Sequence, residues 1–149
     1  MITVRPMQPN DLPAIEGLMA QLTAAVESAH TSSQSQMATV LANMDAHPEM
    51  YLTLVAEEDG IVLGMLALVF YRVWFHPGGT ALITELVVDE RQRGKGVGAK
   101  LIAAAVETAR ARGMDEIEVG TERQNQGAQR FYRRCGFDEE YVLLGMEFE

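Results

Sequence analysis

The spacing of apolar residues changes along the chain, and each spacing predicts a different kind of element. Apolar residues three or four positions apart, the pattern of a helix with one buried face, occur at residues 12–26, 37–44 and 96–112, and a shorter helix is predicted at Gln126–Arg134. Alternating or continuous apolar runs, which are typical of strands, occur at residues 2–5, 50–57, 61–71, 81–88, 115–120 and 142–149. This order of elements predicts an α/β (α+β) fold around a central sheet.

Residues that favour caps and turns separate these elements. Asn10 is the predicted N-cap of the first helix, and Asp59-Gly60 between two apolar runs predicts a tight hairpin. Gly113 is placed to end the long third helix. Residues 74–80 contain Pro77-Gly78-Gly79 and are predicted to form a loop, because proline and glycine favour turns.

The composition fits one globular domain and excludes several classes of protein. The 149 residues are enough for a single domain, residues 1–149, with its own core. No apolar run approaches about 20 residues and no basic leader is present, so we expect neither a membrane span nor a signal peptide. The net charge of −9 argues against nucleic-acid binding. The single cysteine, Cys135, excludes an internal disulfide and fits a reducing compartment, so we expect a cytoplasmic protein.

Basic residues are concentrated at one place in this acidic chain. Residues 91–100 contain Arg91, Arg93, Lys95 and Lys100 and no acidic residue. Cations at the start of a helix oppose the helix dipole, so the cluster favours a bound anion over a merely solvated helix end. Three alternating glycines in the same stretch remove side chains, and backbone N–H groups at a helix N-terminus bind phosphates. The stretch therefore predicts a phosphate site.

Two common phosphate-binding motifs fit this stretch poorly. The chain has no Gly-x-x-x-x-Gly-Lys-Ser/Thr sequence, which excludes a P-loop. Residues 94–99 match the loose Gly-x-Gly-x-x-Gly/Ala pattern of dinucleotide-binding folds. In that fold the glycines follow the strand almost at once, whereas residues 89–93 intervene here and only one βαβ unit is present.

Two separated motifs together resemble a known family. Arg93-x-x-Gly96-x-Gly98 follows Val87-Val88-Asp89 and precedes an amphipathic helix, which is similar to the pyrophosphate loop of the GNAT superfamily of acetyl-CoA-dependent N-acetyltransferases. Asn125-x-x-Ala128-x-x-Phe131-Tyr132-x-x-x-Gly136-Phe137 resembles a second segment of the same family. The order of strands and helices also agrees with that family over nearly the whole chain.

The resemblance implies a particular sheet and a donor substrate. The sheet would be a GNAT-like twisted mixed central sheet with helices on both faces, and its central strands, residues 81–88 and 115–120, would splay apart. Acetyl-CoA would lie in the gap between them. Main-chain groups of Leu86, Val87 and Val88 would pair with the pantetheine arm like an added strand.

The resemblance also assigns the rest of the donor site. Asn125 and Tyr132 would contact the pantetheine arm, although asparagine at position 125 equally suits a helix cap. The main-chain amides that would hold the pyrophosphate belong to Arg93, Gly94, Lys95, Gly96, Val97, Gly98 and Ala99. No group of residues has metal-ligand spacing, so we expect no metal.

Acetyl transfer to an amine needs a proton acceptor and benefits from a donor to the departing thiolate. Tyr132 matches the family tyrosine and is the predicted donor, although its ring could simply pack beside Phe131. Glu85 is the lone ionisable side chain within residues 81–88 and is the predicted base, with a salt bridge as the alternative. His76 is a second candidate for the base, and an acyl-cysteine at position 135 is disfavoured.

The acceptor is the part of the reaction that the resemblance leaves open. We expect its site to be walled by the first two helices, by a mobile serine-rich lid at residues 27–36, and by Trp74-Phe75-His76. The acidic chain favours a small cationic molecule whose primary amine attacks directly in a ternary complex. Acetylation of a protein lysine or N-terminus is the first alternative, and a non-catalytic acyl-CoA-binding regulatory module is the second. A homodimer fits the family, but no sequence feature shows an interface.

Overall fold

The structure is a computed structural model that describes residues 1–25 and 34–148. In these ranges the strands are β1 (Thr3–Pro6), β2 (Tyr51–Glu58), β3 (Ile61–Val73), β4 (His76–Val88) and β5 (Glu116–Val119). The helices of the same ranges are α1 (Leu12–Ala25), α2 (Gln34–Asp45), α3 (Val97–Ala111) and α4 (Gln126–Arg134). Residues 26–33, most of the predicted mobile lid, lie outside the described residues, and residues 34–36 begin α2.

The strands form one mixed sheet in the order β1-β2-β3-β4-β5. Neighbours from β1 to β4 are antiparallel, whereas β4 and β5 are parallel, and α3 makes the crossover that a parallel pair requires. Asp59 and Gly60 have φ values of 52° and 78°, as the predicted two-residue hairpin between β2 and β3 requires. The predicted α/β sheet is confirmed.

Apolar residues on the two faces of the sheet form two separate clusters. On one face, α3 contributes Leu101 and Ala105, which pack with Leu66 of β3 and with partly buried residues of α4. On the other face, Ile15 and Leu18 of α1 pack against Val55, Met65 and Val87. Helices therefore cover both faces, as predicted. None of the helices in the described ranges is long and apolar enough to cross a membrane.

One extra residue in β4 determines which side chains face each cluster. Ala67 of β3 pairs with Glu85, but the next residue, Leu68, pairs with Ile83, so Thr84 is a β-bulge. Ile83 faces the α3 cluster before the bulge, and Leu86 faces it after the bulge. A regular strand could not place both residues on one face, because side chains alternate. Glu85 and Val87 are left on the α1 face.

Two turn predictions are wrong. Residues 74–80 do not form a loop: the turn is Trp74-Phe75 alone, and His76 already pairs with Val73 in β4. The glycines instead allow neighbouring backbone to come close to β4, since a β-carbon at Gly78 would lie 2.4 Å from the Gly113 carbonyl oxygen. Asn10 is not an N-cap either. It lies inside a 3-10 turn, Pro9–Asp11, whose Asp11 carboxylate accepts a hydrogen bond from the Gln8 amide at 2.7 Å.

The prediction of a last strand at residues 142–149 is also wrong. Residues 142–148 are exposed and belong to no strand of the sheet, and Glu149 lies outside the described residues. The alternating sequence supplies the side chains of a strand but cannot supply the hydrogen bonds, which need a neighbouring edge.

Candidate functional site

Strands β4 and β5 separate part of the way along β4. Their pairing runs from Thr80↔Glu116 to Ile83↔Val119 and then stops, while β4 continues to Val88. Leu86, Val87 and Val88 are therefore paired with β3 on one side only, and their other side is an open edge. The splayed central strands that the resemblance implied are confirmed. The three residues expected to pair with pantetheine lie along this opening.

The turn at the end of β4 is anchored from two directions. The Asp89 amide donates to the Leu63 carbonyl oxygen of β3 at 2.8 Å, and the Glu90 amide donates to the Gln21 side chain of α1 at 3.0 Å. The Asp89 carboxylate accepts a hydrogen bond from the Arg91 amide at 3.0 Å, which lowers the pKa of Asp89 and keeps it charged. The position of the following loop is therefore fixed relative to both β3 and α1.

Gly94 and Gly96 are needed in the loop for their backbone conformation. Their φ values are 80° and 82°, in the left-handed region that side chains disfavour, and Gly96 is the N-cap of α3. A β-carbon at either position would meet nothing within 4 Å. Space is therefore not the constraint on these two glycines.

The amides of this loop are free to bind a ligand. Among the described hydrogen bonds, none is donated by the main-chain nitrogens of residues 93–99, and no side chain caps α3. The first N–H groups of a helix lack internal partners and carry partial positive charge. Consecutive unpartnered amides at the end of the β4 opening make a suitable site for a diphosphate.

The basic side chains around the loop are exposed, and two of them contact other side chains of the same turn. Arg91 lies 3.4 Å from the Asp89 carboxylate, and the Lys95 ammonium donates to the Gln92 side chain at 3.2 Å. The positive charge predicted to attract an anion is therefore present beside the amides. Arg91 and Lys95, however, already contact Asp89 and Gln92.

Asn125 is confirmed as the cap of α4. Its side-chain oxygen accepts a hydrogen bond from the Ala128 amide at 3.0 Å. The contact of Asn125 with pantetheine stays a prediction.

Tyr132 is half-buried between two other aromatic rings. Its ring centroid lies 5.5 Å from that of Phe131 and 5.9 Å from that of Phe137. No described residue forms a hydrogen bond with its hydroxyl, and burial raises the pKa of Tyr132, so the hydroxyl stays protonated at neutral pH. The residue thus packs as core and also keeps a proton to donate.

Glu85 lies on the α1 face of the sheet, directly after the bulge. It pairs with Ala67 of β3, and its carboxylate accepts a hydrogen bond from the Thr84 hydroxyl. Within the described part of the chain Glu85 forms no salt bridge, so the alternative that it serves only as a salt-bridge partner has no support there. The catalytic assignments of Tyr132 and Glu85 stay predictions.

The structure argues against the other candidate groups. His76 opens β4 and lies 2.7 Å from the Glu116 carboxylate, so strand geometry separates it from Glu85 by roughly 25 Å. Trp74 and Phe75 are fully exposed at the same remote turn, so the predicted acceptor wall does not form there. Burial raises the pKa of the Cys135 thiol, which opposes the thiolate that an acyl-cysteine would need.

Two residues of the site were missed by the sequence analysis. Gln21 anchors the Glu90 amide, and Thr84 forms the bulge. Gly98 was predicted as part of the loop, but the contact that it makes with Phe131 was not. The adjacent polar pair Thr84-Glu85 breaks the alternation of an apolar strand, and this break could have indicated the bulge. Nothing in the sequence around Gln21 distinguishes it from other polar residues of a helix.

Comparison with known proteins identifies the class to which this fold and loop belong. A sequence profile of the Acetyltransferase (GNAT) family matches residues 18–137, more than half of the chain, and the chain belongs to this family. The aminoalkylphosphonate N-acetyltransferase of Salmonella typhimurium is 34% identical over 87 residues, which are 58% of this chain and 56% of that protein. Glucosamine 6-phosphate N-acetyltransferase 1 of Oryza sativa subsp. japonica is 32% identical over 101 residues, 66% of this chain and 59% of that protein.

These similarities have a defined extent. The matches cover only 29% to 59% of the length of the first relatives, so the chain is similar to part of each. A crystal structure described as a transcriptional regulator from Bacillus halodurans C-125 superposes with a TM-score of 0.88 at 24% identity. The superposition covers 99% of this chain and 100% of that one, and it shows a shared fold.

Proposed function

We propose that the protein is an N-acetyltransferase that transfers an acetyl group from acetyl-CoA to the primary amine of a small cationic molecule. The observation that carries this proposal is the open edge of β4, which ends in the unpartnered amides of residues 93–99. An extended ligand arm with a diphosphate at one end fits an open strand edge followed by an anion site. Membership of the GNAT family supports acetyl-CoA as that ligand.

The reaction proposed is direct attack by the amine in a ternary complex. An amine with a pKa near 10.4 is mostly protonated at pH 7, and deprotonating it costs about 4–5 kcal/mol. Glu85 lies just after the bulge, where β4 is no longer paired with β5. It is the group that accepts this proton, directly or through water. The Tyr132 hydroxyl donates a hydrogen bond to the sulfur as negative charge develops on it.

Tyr132 acts by hydrogen bonding more readily than by complete proton transfer. A thiol has a pKa of about 8.5, and the pKa of Tyr132 is raised by burial above its ordinary value of 10, so the phenol is the weaker acid. A hydrogen bond from the neutral phenol still stabilises the departing thiolate, because such a bond strengthens as charge forms.

The proposed acceptor class follows from charge and from the relatives. The chain carries a net charge of −9, which attracts a cationic amine and repels an anionic one. Two relatives are named for aminoalkylphosphonate and for glucosamine 6-phosphate, which are small amines that also carry an anionic group, so the relatives support the small size of the acceptor and the charge of this chain supports its cationic character. A protein lysine or N-terminal amine is the alternative acceptor.

Single-turnover release of free coenzyme A thiol tests the proposal. The purified chain is loaded with acetyl-CoA and mixed with polyamines, aminoglycosides, amino sugars and lysine peptides, with an amine-free sample as the control for hydrolysis. We expect thiol release and N-acetyl product with at least one small amine. Release with peptides alone would replace the small-molecule acceptor with a protein. Tight acetyl-CoA binding without release by any amine would show a non-catalytic acyl-CoA-binding module.

A further inference from the structure

Gln21 joins helix α1 to the turn, residues 89–92, that leads into the donor loop, residues 93–99. Its side-chain oxygen accepts a hydrogen bond from the Glu90 amide at 3.0 Å, although the two residues are 69 positions apart in the chain. Among the described hydrogen bonds, it is the only side chain from outside the turn and the donor loop that bonds either segment. The donor loop is therefore attached to α1 through one half-buried polar side chain.

The other half of the Gln21 amide contacts the Asp89 carboxylate. The pKa of Asp89 is lowered first by the Arg91 amide and to a smaller extent by the Gln21 side chain. A primary amide has an acceptor on one side and donors on the other, so one glutamine can serve the Glu90 N–H group and the Asp89 carboxylate together. A carboxylate at position 21 would repel Asp89, and an apolar side chain would bond neither group. The contact is therefore specific to an amide.

Helix α1 is firmly packed just before it reaches this contact. Ile15 and Leu18 are 7% and 4% exposed, and both belong to the apolar cluster that contains Val87 of β4. Gln21 follows Leu18 by three positions and therefore lies on nearly the same side of the helix. Apolar contacts thus hold α1 against the sheet one turn before Gln21, and Gln21 then bonds the turn at the end of β4.

The donor loop benefits from an anchor because its first part is exposed and contains two glycines. Gly94 and Gly96 hold left-handed conformations, and glycine loses more conformational freedom than any other residue when it is fixed. On the far side of the loop, Val97 is 1% exposed and fixes the start of α3 in the core. A ligand that has to order its own site binds less tightly than one that meets a preformed site. Fixing the near side of the loop therefore favours diphosphate binding.

We propose that Gln21 is a positioning residue of the donor site, which holds residues 89–92 so that the amides of the donor loop are preformed for the diphosphate of acetyl-CoA. Linkage makes the effect reciprocal, because a diphosphate that fixes the loop also restrains the C-terminal half of α1 through the same bond. The helix expected to wall the acceptor site thereby responds to donor binding. The inference rests on the proposed function for the identity of the donor.

A purely structural role for Gln21 has a different consequence for ligand binding. If the bond only stabilised the fold, its loss would weaken every ligand of the site alike. If the bond positions the donor loop, its loss weakens only those ligands that carry a diphosphate. S-acetylpantetheine has the arm and the thioester of acetyl-CoA but no diphosphate, so it would still bind along the open edge of β4 as before. A comparison of these two ligands therefore separates the two roles.

The first experiment measures the affinity of both ligands by isothermal titration. Gln21→Met keeps the length and helix propensity of the side chain and removes its polar contacts. We expect acetyl-CoA to bind about 5- to 10-fold more weakly, as the loss of one or two hydrogen bonds predicts, and S-acetylpantetheine to bind as in wild type. The control is Thr23→Val, which removes a hydroxyl bonded to the Met19 carbonyl within α1 and should change neither affinity. Equal weakening of both ligands, or of neither, would overturn the proposal.

The second experiment tests the reciprocal effect by amide hydrogen exchange. Saturating acetyl-CoA should slow exchange in the last two turns of α1 in wild type, but not in Gln21→Met at equal saturation. Amides at the start of α3 are the internal control, because the diphosphate should protect them in both proteins. Equal protection of α1 in both proteins would overturn the role of Gln21. Wild type that binds acetyl-CoA no more tightly than S-acetylpantetheine would instead refute the diphosphate site, and with it the proposed function.

Discussion

A β-carbon added at Gly98 would lie 3.2 Å from Cζ of Phe131, so the first turn of α3 and the helix that carries Tyr132 are in direct contact. Gly98 belongs to the glycine-rich loop and Phe131 to the second motif, more than 30 residues later in the chain. The two segments that identify the family are therefore also packing partners. The position of the donor loop and that of the Tyr132 hydroxyl depend on one shared contact.

Substituting Gly98→Ala should lower stability even though alanine favours helices. A methyl group would press on the half-buried Phe131 ring, and overpacking typically costs about 1–3 kcal/mol, whereas helix propensity returns about 1 kcal/mol. We expect a net loss of about 1 kcal/mol in a urea titration. In the matched control, Gly17→Ala of α1, nothing lies within 4 Å of the new methyl group, so stability should rise. Equal gains for both variants would disprove the contact.

The Arg5–Asp11 pair should support folding in a pH-dependent way. The Asp11 carboxylate is buried and bonds the Arg5 guanidinium at 2.8 Å, and this bond holds the pKa of Asp11 below its ordinary value. The stabilisation is therefore present above the unfolded-state pKa of about 3.9 and disappears as pH falls further. We expect Asp11→Ala to lower the melting temperature by roughly 5 °C at pH 7.

Melting curves of wild type and Asp11→Ala across pH 3 to 8 check this prediction. Their difference should be constant above about pH 5 and shrink as pH falls below about 4. The exposed pair His47–Glu49 supplies the control, since Glu49→Ala should change the melting temperature by no more than about 1 °C. A difference that grows with acidification would contradict the assigned sign.

Replacing Tyr132 with phenylalanine should separate its packing from its chemistry. The substitution keeps the aromatic contacts and removes only the hydroxyl, so we expect unchanged acetyl-CoA affinity and a turnover roughly 10²-fold lower. Tyr51→Phe, in β2, removes a hydroxyl elsewhere and should change neither quantity. Isothermal titration measures the affinity and single-turnover rates measure the chemistry. Normal turnover, with chemistry shown to limit the rate, would exclude the catalytic role.

The pH profile offers a further test of Tyr132. Because its pKa is raised above 10, the hydroxyl remains protonated throughout the neutral and mildly alkaline range. Loss of the Tyr132 proton should therefore reduce the rate only above pH 10. A decline that begins near pH 8 and disappears in Tyr132→Phe would show that the pKa is instead lowered in the working enzyme.

Glu85→Gln should flatten the acidic limb of the turnover profile. The amide preserves the shape of the side chain but cannot take a proton from the amine. The titration of the acceptor amine itself is common to both enzymes, so the ratio of their rates at each pH isolates Glu85. Glu107→Gln, in α3, makes the same charge change elsewhere and should leave the profile intact. An unchanged limb in Glu85→Gln would assign the base to another group.

Much of the donor site could be predicted because local rules determine it. The charged turn after β4, the left-handed Gly96 and the helical spacing of α3 are properties of consecutive residues, and all are present in the structure. The hairpin at Asp59-Gly60 was predictable for the same reason. Agreement of two distant motifs then indicated the family and the splayed sheet.

The errors arose where distant parts of the chain meet. Local rules predict a turn at Gly78, but the residue lies within β4, where its lack of a side chain makes room for the Gly113 carbonyl. The bulge at Thr84 is determined by the register with β3, and the adjacent polar pair Thr84-Glu85 is its only sign in the local sequence. Residues 142–148 have the side-chain pattern of a strand, yet a strand needs a neighbouring edge, and sequence spacing does not say where that edge lies. The single-domain organisation and the cytoplasmic location stay predictions.

The bulge has a consequence for how this sequence can change in length. Removing Thr84 would make Ile83 and Glu85 neighbours, so β4 would alternate without interruption and every residue from Glu85 to Val88 would keep its present face and its β3 partner. Deleting Leu86 instead would turn Val87 and Val88 to the opposite faces of the sheet. A one-codon deletion is accordingly far less damaging at Thr84 than at its neighbours, and a relative that lacks this residue could keep the same arrangement of Glu85 and Leu86.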